Sequence, residues 1–264
     1  MAILSRRDFL RVSATGIMSA GLISTRANAA DSFTFAAIND THIKDAPSVD
    51  ILNETVARIN KDTRINFSCI LGDIATGGTQ EELALAQKAL KNLDTPIFAV
   101  PGNHDVFLDA PDIYANYVTA FGPIHWIHKQ NDWAFIGFSS CDGTKSDVTV
   151  GKEELTWLQE SLKEIAPQQP IALFCHHPLN PNSKAYRIQN ADDILALFSG
   201  HNLKMVASGH WHGNQLEDQD EISFATTACC STTRSNFDKT TAKGYRLFHI
   251  QGDTVTTEFV VVQS

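Results

Sequence analysis

The sequence predicts an α/β protein whose first half is built on a parallel sheet, and three observations lead there. Between residues 33 and 100, short apolar runs alternate with segments of helical periodicity, which implies parallel pairing and a sheet covered on both faces. Each run ends abruptly in Asp, His or Asn, placing polar side chains at C-terminal strand ends, where open α/β sheets carry their chemistry. Beyond residue 213 the runs are joined by short turns with no helical segment between them, and this tail reads as antiparallel.

Phe33-Thr34-Phe35-Ala36-Ala37-Ile38-Asn39 is the first strand, closed by Asp40-Thr41-His42. From about Ser48 to Asp62 the apolar positions Ile51, Leu52, Val56 and Ile59 keep a helical spacing. Asn66 to Leu71 is the next strand and ends in Gly72-Asp73. Thr79-Gln80-Glu81-Glu82 has the form of a capping box and opens a helix to about Leu93. The run Thr95 to Val100 leads into Pro101-Gly102-Asn103-His104-Asp105, a tight turn made of a carboxamide, an imidazole and a carboxylate. Residues 107–121 are a loop and a helix; His125 to His128 and Asp132 to Ser139 are strands. Glu153 to Ile165 is a helix with Leu155, Leu158, Leu162 and Ile165 on one face. Pro170 to Cys175 is a strand ending in His176-His177-Pro178, Ala191 to Phe198 a helix, and Leu203 to Ala207 a strand ending in Gly209-His210-Trp211-His212. Gln215 to Leu216, Glu221 to Ala228, Gly244 to Gln251 and Thr254 to Val262 make the tail. No linker or repeat interrupts this order, so residues 30–264 are expected to form one domain.

The first 29 residues are of a different kind. Ser5-Arg6-Arg7-Asp8-Phe9-Leu10-Arg11 precedes a moderately apolar run, Val12 to Ile23, and Ala27-Asn28-Ala29 supplies the small residues of a cleavage site. The paired arginines before Phe-Leu resemble a twin-arginine signal, which implies a bacterial protein exported folded to the periplasm by the twin-arginine (Tat) machinery and cut near Ala29. No run reaches the ~18 apolar residues of a membrane span, so no stable membrane anchor is expected. The formal charge is −9, and losing residues 1–29 (four arginines and one aspartate) takes it near −12. That balance argues against nucleic acid as a partner; an acidic protein that handles phosphates needs local cations, and bound metal supplies them. The five cysteines show no framework spacing. Cys69 and Cys175 sit in apolar runs as small buried residues, and a Cys229–Cys230 bridge is the less favoured alternative.

Five strand ends therefore carry metal-type ligands: Asp40 and His42, Asp73, Asn103 with His104, His176, and His210 with His212. Singly, each is an ordinary turn or a hydrogen-bonded core histidine; together, at the C-terminal ends of one sheet, they converge. Carboxylates, imidazoles and a carboxamide oxygen suit two transition ions rather than calcium or a zinc–thiolate site. Asp73 is the expected bridge, because a carboxylate can hold two cations about 3.5–4 Å apart; such a pair activates a bridging water and clamps the oxygens of an in-line displacement at phosphorus.

With these residues in order, the sequence resembles the calcineurin-like metallophosphoesterase superfamily, whose signature is D-x-H, G-D, G-N-H-[DE], a downstream His and G-H-x-H. The resemblance covers nearly the whole mature chain and implies a four-layer α/β/β/α sandwich with mixed parallel and antiparallel sheets. It implies that Asp40, His42 and His212 hold a first metal and Asn103, His176 and His210 a second, with Asp73 between them. His176 is preferred to His177 because the family ligand lies two residues before the proline. The resemblance further implies Fe, Mn or Zn as the ions, attack by a metal-bridging hydroxide, His104 as the non-ligand general acid, and Asp105 as the residue that orients it. The sequence departs once: Thr76 stands where many members carry an acid three residues after the bridging Asp. The Asp40-Thr41-His42 and His176-His177-Pro178 boxes and Gly244-Tyr245-Arg246 look like the class III cyclic-nucleotide phosphodiesterase branch, which also contains enzymes for glycerophosphodiesters and monoesters. The implied substrate is a small phosphodiester. A phosphomonoesterase or nucleotidase of the same fold is the alternative within the class, and a non-catalytic metal-stabilised binding protein the alternative outside it. Loops 106–121, 178–190 and 229–243 are expected over the metals, offering Lys184, Arg187, Arg234, Lys239 and Lys243 as cations.

Overall fold

The computed structural model describes residues 32–263; the signal segment read at residues 1–29 lies outside them. In chain order the elements are β1 (Ser32–Ile38), α1 (Asp50–Lys61), β2 (Ile65–Leu71), α2 (Gln80–Leu90), β3 (Ile97–Val100), α3 (Ala115–Phe121), β4 (Trp126–Gln130), β5 (Trp133–Gly137), α4 (Lys152–Leu162), β6 (Pro170–Phe174), α5 (Ala191–Leu197), β7 (Asn202–Ser208), β8 (Gln215–Gln219), β9 (Ile222–Thr226), β10 (Lys243–Gln251) and β11 (Thr254–Gln263). They form two sheets, ordered β11-β10-β1-β2-β3 and β4-β5-β6-β7-β9-β8.

The apolar patterning explains the layers. Ile51, Leu52, Val56 and Ile59 of α1 and Leu83, Ala86 and Leu90 of α2 are buried with Ile38 and Ile70 on the outer face of the first sheet. Leu158 and Leu162 of α4 and Ile194 of α5 cover Ile136, Ile171 and Val206 of the second. Between the sheets lies an aromatic core of Phe33, Phe35, Phe67, Trp133, Phe135, Phe174 and Phe248. Phe35 is paired with Phe67 on β2 and Phe248 on β10, so the three rings stack across three strands at 4.9 Å each. Helices outside and two sheets inside make a four-layer α/β/β/α sandwich. The Thr79 capping box is formed, with Glu82 N–H donating to Thr79 Oγ1 and Thr79 N–H to Glu82 Oε2.

Two expectations are corrected. The ligand-bearing strand ends belong to two sheets: β1, β2 and β3 of one, β6 and β7 of the other. They still meet, because the sheets pack face to face with these ends at a common rim. The tail is also not uniformly antiparallel. β8 and β9 form an antiparallel hairpin, but β8 takes the outer edge, so β9 lies beside β7 and runs parallel to it. β10 then crosses to the first sheet, antiparallel to β1 and β11. All five cysteines are free thiols.

Candidate metal centre

The ends of β1, β2 and β7 close in bends that ordinary residues avoid. Asp40, His42, Asp73, His210 and His212 all have φ between 39° and 65°. Left-handed backbone outside glycine costs roughly 1–3 kcal/mol and persists where surrounding contacts over-determine it. Here those contacts are interlocked turns: Asp40 N–H donates to Gly72 O, His42 N–H to Asp73 O, and His210 N–H to the Asp40 carboxylate across the sheets. At Gly72 (φ 82°) a Cβ would stand 2.6 Å from both Gly102 N and His176 Nδ1, so the β2, β3 and β6 turns can close on one another only around glycine.

The side chains fall into two donor sets joined by Asp73. In the first, His212 Nε2 lies 3.2 Å from Asp40 Oδ1 and 3.2 Å from His42 Nε2, and His42 Nε2 lies 3.5 Å from Asp73 Oδ2. The ligand atoms of these four residues are all within 4.8 Å of one another. In the second, His176 Nε2 lies 3.2 Å from Asp73 Oδ1, 3.3 Å from Asn103 Oδ1 and 3.1 Å from His210 Nδ1. The outward nitrogens are fixed by backbone carbonyls: His176 Nδ1 on Leu71 O, His210 Nε2 on Ser146 O, and His212 Nδ1 on Ser235 O. Asn103 Nδ2 donates to Thr144 O, which aims its oxygen inward. His177, also close by, has both ring nitrogens engaged, Nδ1 with Ser140 Oγ and Nε2 with Lys145 O.

The donor set fits a pair of cations. His176 Nε2 and His210 Nδ1 each spend the proton of the other ring nitrogen on a carbonyl, so two lone pairs face each other at 3.1 Å unless a positive charge sits between them. The titration pattern shows the same demand. Burial pushes all four imidazoles towards neutral, but Asp73 raises His176 to about 9 and Asp40 raises His212 to about 11. Their opposite numbers fall, His210 to about 4 and His42 to about 3. The carboxylates of Asp40 and Asp73 thus favour positive charge beside each facing pair, and the mixture of N and O donors suits a first-row transition ion in that position. Burial raises the carboxyls of Asp40 and Asp73, yet His212 and His176 respectively outweigh it and hold both below the usual range.

His104 stands apart from both sets. Its Nδ1 is 2.7 Å from Thr76 O, its backbone N–H donates to Asp73 Oδ1, and its ring lines the cavity over the centre. The expectation that Asp105 orients this imidazole is corrected by the hydrogen bonds. Thr76 O holds the ring, while the Asp105 carboxylate accepts from Ala75 N–H and Gly102 N–H and so ties the β2 turn to the β3 turn. Burial and the Asp73 charge push Asp105 up to about 7. The position where the sequence lacks the family acid therefore contributes through its carbonyl, and its hydroxyl donates to His42 O.

The cavity has a volume of about 380 Å³ and is lined by His42, Asp73, Asn103, His104, His210 and His212, with Ser146, Tyr186, Thr233, Arg234, Ser235 and Phe237 around them. Of the five loop cations, Arg234 lines it. Arg187 donates to Pro181 O, and the Lys243 ammonium is taken up by Cys229 Sγ, Arg234 O and Asn236 Oδ1. Loop 106–121 contributes no lining residue. Ser146, Tyr186 and Phe237 were not anticipated as site residues; the two aromatics in otherwise polar loops were the available signal.

Comparison with known proteins agrees with this geometry. The profile of the calcineurin-like phosphoesterase family matches residues 33–214. A "Probable glycerophosphodiester phosphodiesterase GpdQ" of Arcobacter nitrofigilis is 30% identical over 159 residues, 53% of this chain and 55% of that protein. A "Probable cyclic nucleotide phosphodiesterase" of Xenorhabdus bovienii is 26% identical over 184 residues, 63% of this chain and 71% of that protein. The chain thus spans little more than half the length of the first of these relatives. Among solved structures, the purple acid phosphatase PPD1 of yellow lupin seeds superposes with a TM-score of 0.66 at 12% identity, over 88% of this chain and 52% of that one, a likeness of fold. With a match across more than half its length, the chain belongs to the calcineurin-like phosphoesterase family.

Proposed function

We propose that this protein is a dinuclear metal-dependent phosphodiesterase acting on small phosphodiesters. The observation that carries the reading is the pairing of two donor sets through Asp73 with a non-ligand imidazole, His104, on the wall of the same cavity. Asp40, His42 and His212 would hold one ion and Asn103, His176 and His210 the other, iron, manganese and zinc all being compatible with the donors. When bound, such a pair supplies Lewis-acid activation of water and neutralises charge on the phosphoryl oxygens.

The chain's own residues supply the rest. Arg234 lines the cavity, and its guanidinium is the loop cation placed to meet a phosphoryl oxygen. Water's oxygen ends on phosphorus and one of its protons passes to solvent, the bond to the leaving alcohol breaks, and protonated His104 gives the Nε2 proton to the departing oxygen. Hydrogen bonding to Thr76 O fixes the ring so that Nε2 faces the cavity. The named activities of the two relatives favour a diester substrate.

The test is a comparison of kcat/KM on an aryl diester and an aryl monoester, with metal content measured on the same protein. Diester preference with two ions per chain is expected; strong monoester preference supports the phosphatase alternative instead, and no turnover with both ions bound supports a binding protein. From the order of charge, apolar run and Ala27-Asn28-Ala29 in residues 1–29, we also propose Tat-dependent export to a bacterial periplasm. Cell fractionation checks this, and retention in the cytoplasm of cells with intact Tat machinery would refute it.

A further inference from the structure

A second cavity of about 340 Å³ adjoins the metal cavity, and Tyr186 lines both. Tyr186 is an unusual residue on three counts. Its φ is 57°, a conformation that bulky side chains rarely adopt. Its side chain is among the large hydrophobic groups left exposed, at 38%. Its ring meets ligand His210 edge-on at 5.7 Å and stacks on Phe237 at 5.2 Å, and Phe237 in turn stacks on ligand His212 at 5.1 Å. A left-handed backbone at an aromatic left partly exposed beside a candidate site is a feature found in ligand clamps.

The far side of the second cavity is fixed by the metal centre itself. Trp211 sits between the ligands His210 and His212 and lines this cavity, its indole so close to Gly213 that a Cβ there would collide with the ring. The polar groups are sorted. The Glu217 carboxylate accepts from Asn180 Nδ2 at 2.9 Å and from Asn182 Nδ2 at 2.6 Å. Lys184 makes no ion pair among the described residues and lines the cavity with its charge available. Two aromatic side chains, an available ammonium and the Gln215 amide make a surface that suits a flat aromatic group with acceptor atoms on its edge.

We infer that this cavity is a stacking subsite for the organic arm of the diester, that it takes aryl or nucleobase-bearing groups in preference to glycerol or alkyl groups, and that Tyr186 and Trp211 determine this specificity. The inference rests on the phosphodiesterase reading above. A series of diesters sharing one p-nitrophenyl leaving group and differing in the second arm (methyl, phenyl, or thymidine joined through its 5′ oxygen) isolates the subsite. Stacking of a base on aromatic side chains predicts kcat/KM about tenfold or more higher for the aromatic arms than for methyl. In Tyr186→Ala and Trp211→Ala that ratio falls about tenfold, and Tyr186→Phe restores it. Thymidine exceeding phenyl identifies a nucleobase as the preferred group, and parity identifies any aryl group; both support the subsite.

Equal kcat/KM for all three arms in the wild-type protein overturns the subsite while leaving the phosphodiesterase reading intact, and so does a preference that survives both alanine substitutions. Failure to turn over any of the three sinks the phosphodiesterase reading itself. Should the alanine variants fold poorly, inhibition of the wild-type protein by phenylphosphonate and methylphosphonate monomethyl esters gives the same ratio without them. Equal inhibition constants would overturn the subsite.

Discussion

Gly72→Ala places one methyl group where three ligand-bearing turns touch. The new Cβ would stand 2.6 Å from Gly102 N, 2.6 Å from His176 Nδ1 and 2.8 Å from Gly102 Cα, whereas carbon in van der Waals contact prefers about 3.5–4.0 Å. Something must move by roughly 1 Å. The left-handed backbone at 72 adds about 1–2 kcal/mol for a residue with a Cβ, and overpacking a closed site adds about 1–3 kcal/mol. A destabilisation of about 2–5 kcal/mol follows, which for a domain of this size lowers Tm by roughly 4–20 °C. The displacement has a direction as well as a size. His176 Nδ1 is the atom that donates to Leu71 O, so moving that ring releases the hydrogen bond that sets its tautomer and aims Nε2 at the second donor set. Loss of such an outer contact costs about 10–100-fold in metal affinity. Titration with metal under buffered conditions should show one site weakened by that factor and the Asp40–His42–His212 site much less affected. Two sites of unchanged affinity and an unchanged Tm would refute the interlocking of the turns as described.

Four further outcomes are expected. His104→Gln should lower kcat about 10²–10⁴-fold with metal content retained, since neither donor set uses its ring; loss of metal instead would make it a ligand. Arg234→Gln should raise KM for diesters by about tenfold or more, the scale of one charged hydrogen bond; an unchanged KM would remove it from the substrate site. Stripping metal with a chelator and restoring it at 100 times its Kd should raise stability by about 2.7 kcal/mol per site, measured as a metal-dependent Tm; a melting curve indifferent to metal would count against a specific centre. Phe35→Ala, which removes the middle ring of the Phe67–Phe35–Phe248 stack, should cost about 3–5 kcal/mol in denaturant unfolding. A change below 1 kcal/mol would mean the inter-sheet core can collapse around the gap.

Strands and ligands were legible in the sequence for the same reason. Runs such as Ile97–Val100 are short, apolar and buried at their far ends, and the polar residue that follows each one is conspicuous by contrast. What remained hidden depends on contacts without a period. Nothing in Gln215–Gln219 says that this strand takes the edge and leaves β9 beside β7 in parallel. Asp105 looked like a partner of its neighbour His104, but its carboxylate turns to the backbone of residues 75 and 102, and the imidazole is held by a carbonyl, which any residue at 76 would possess. Tyr186 and Phe237 are single aromatics in loops, and their meeting over the ligands is a product of tertiary structure alone.

The spread of the donors along the chain sets an order of events. The first set joins residues 40, 42 and 73 to residue 212, and the second joins residues 73 and 103 to 176 and 210. An unfolded chain offers no more than a local pair, Asp40 with His42 or His210 with His212, so neither site exists until β1, β2, β3, β6 and β7 have been brought to a common rim. On the dinuclear reading, metal would bind the finished sandwich rather than template it. The ions would then be acquired in the compartment where the polypeptide completes its folding, so metal availability there would join donor type and geometry in selecting them.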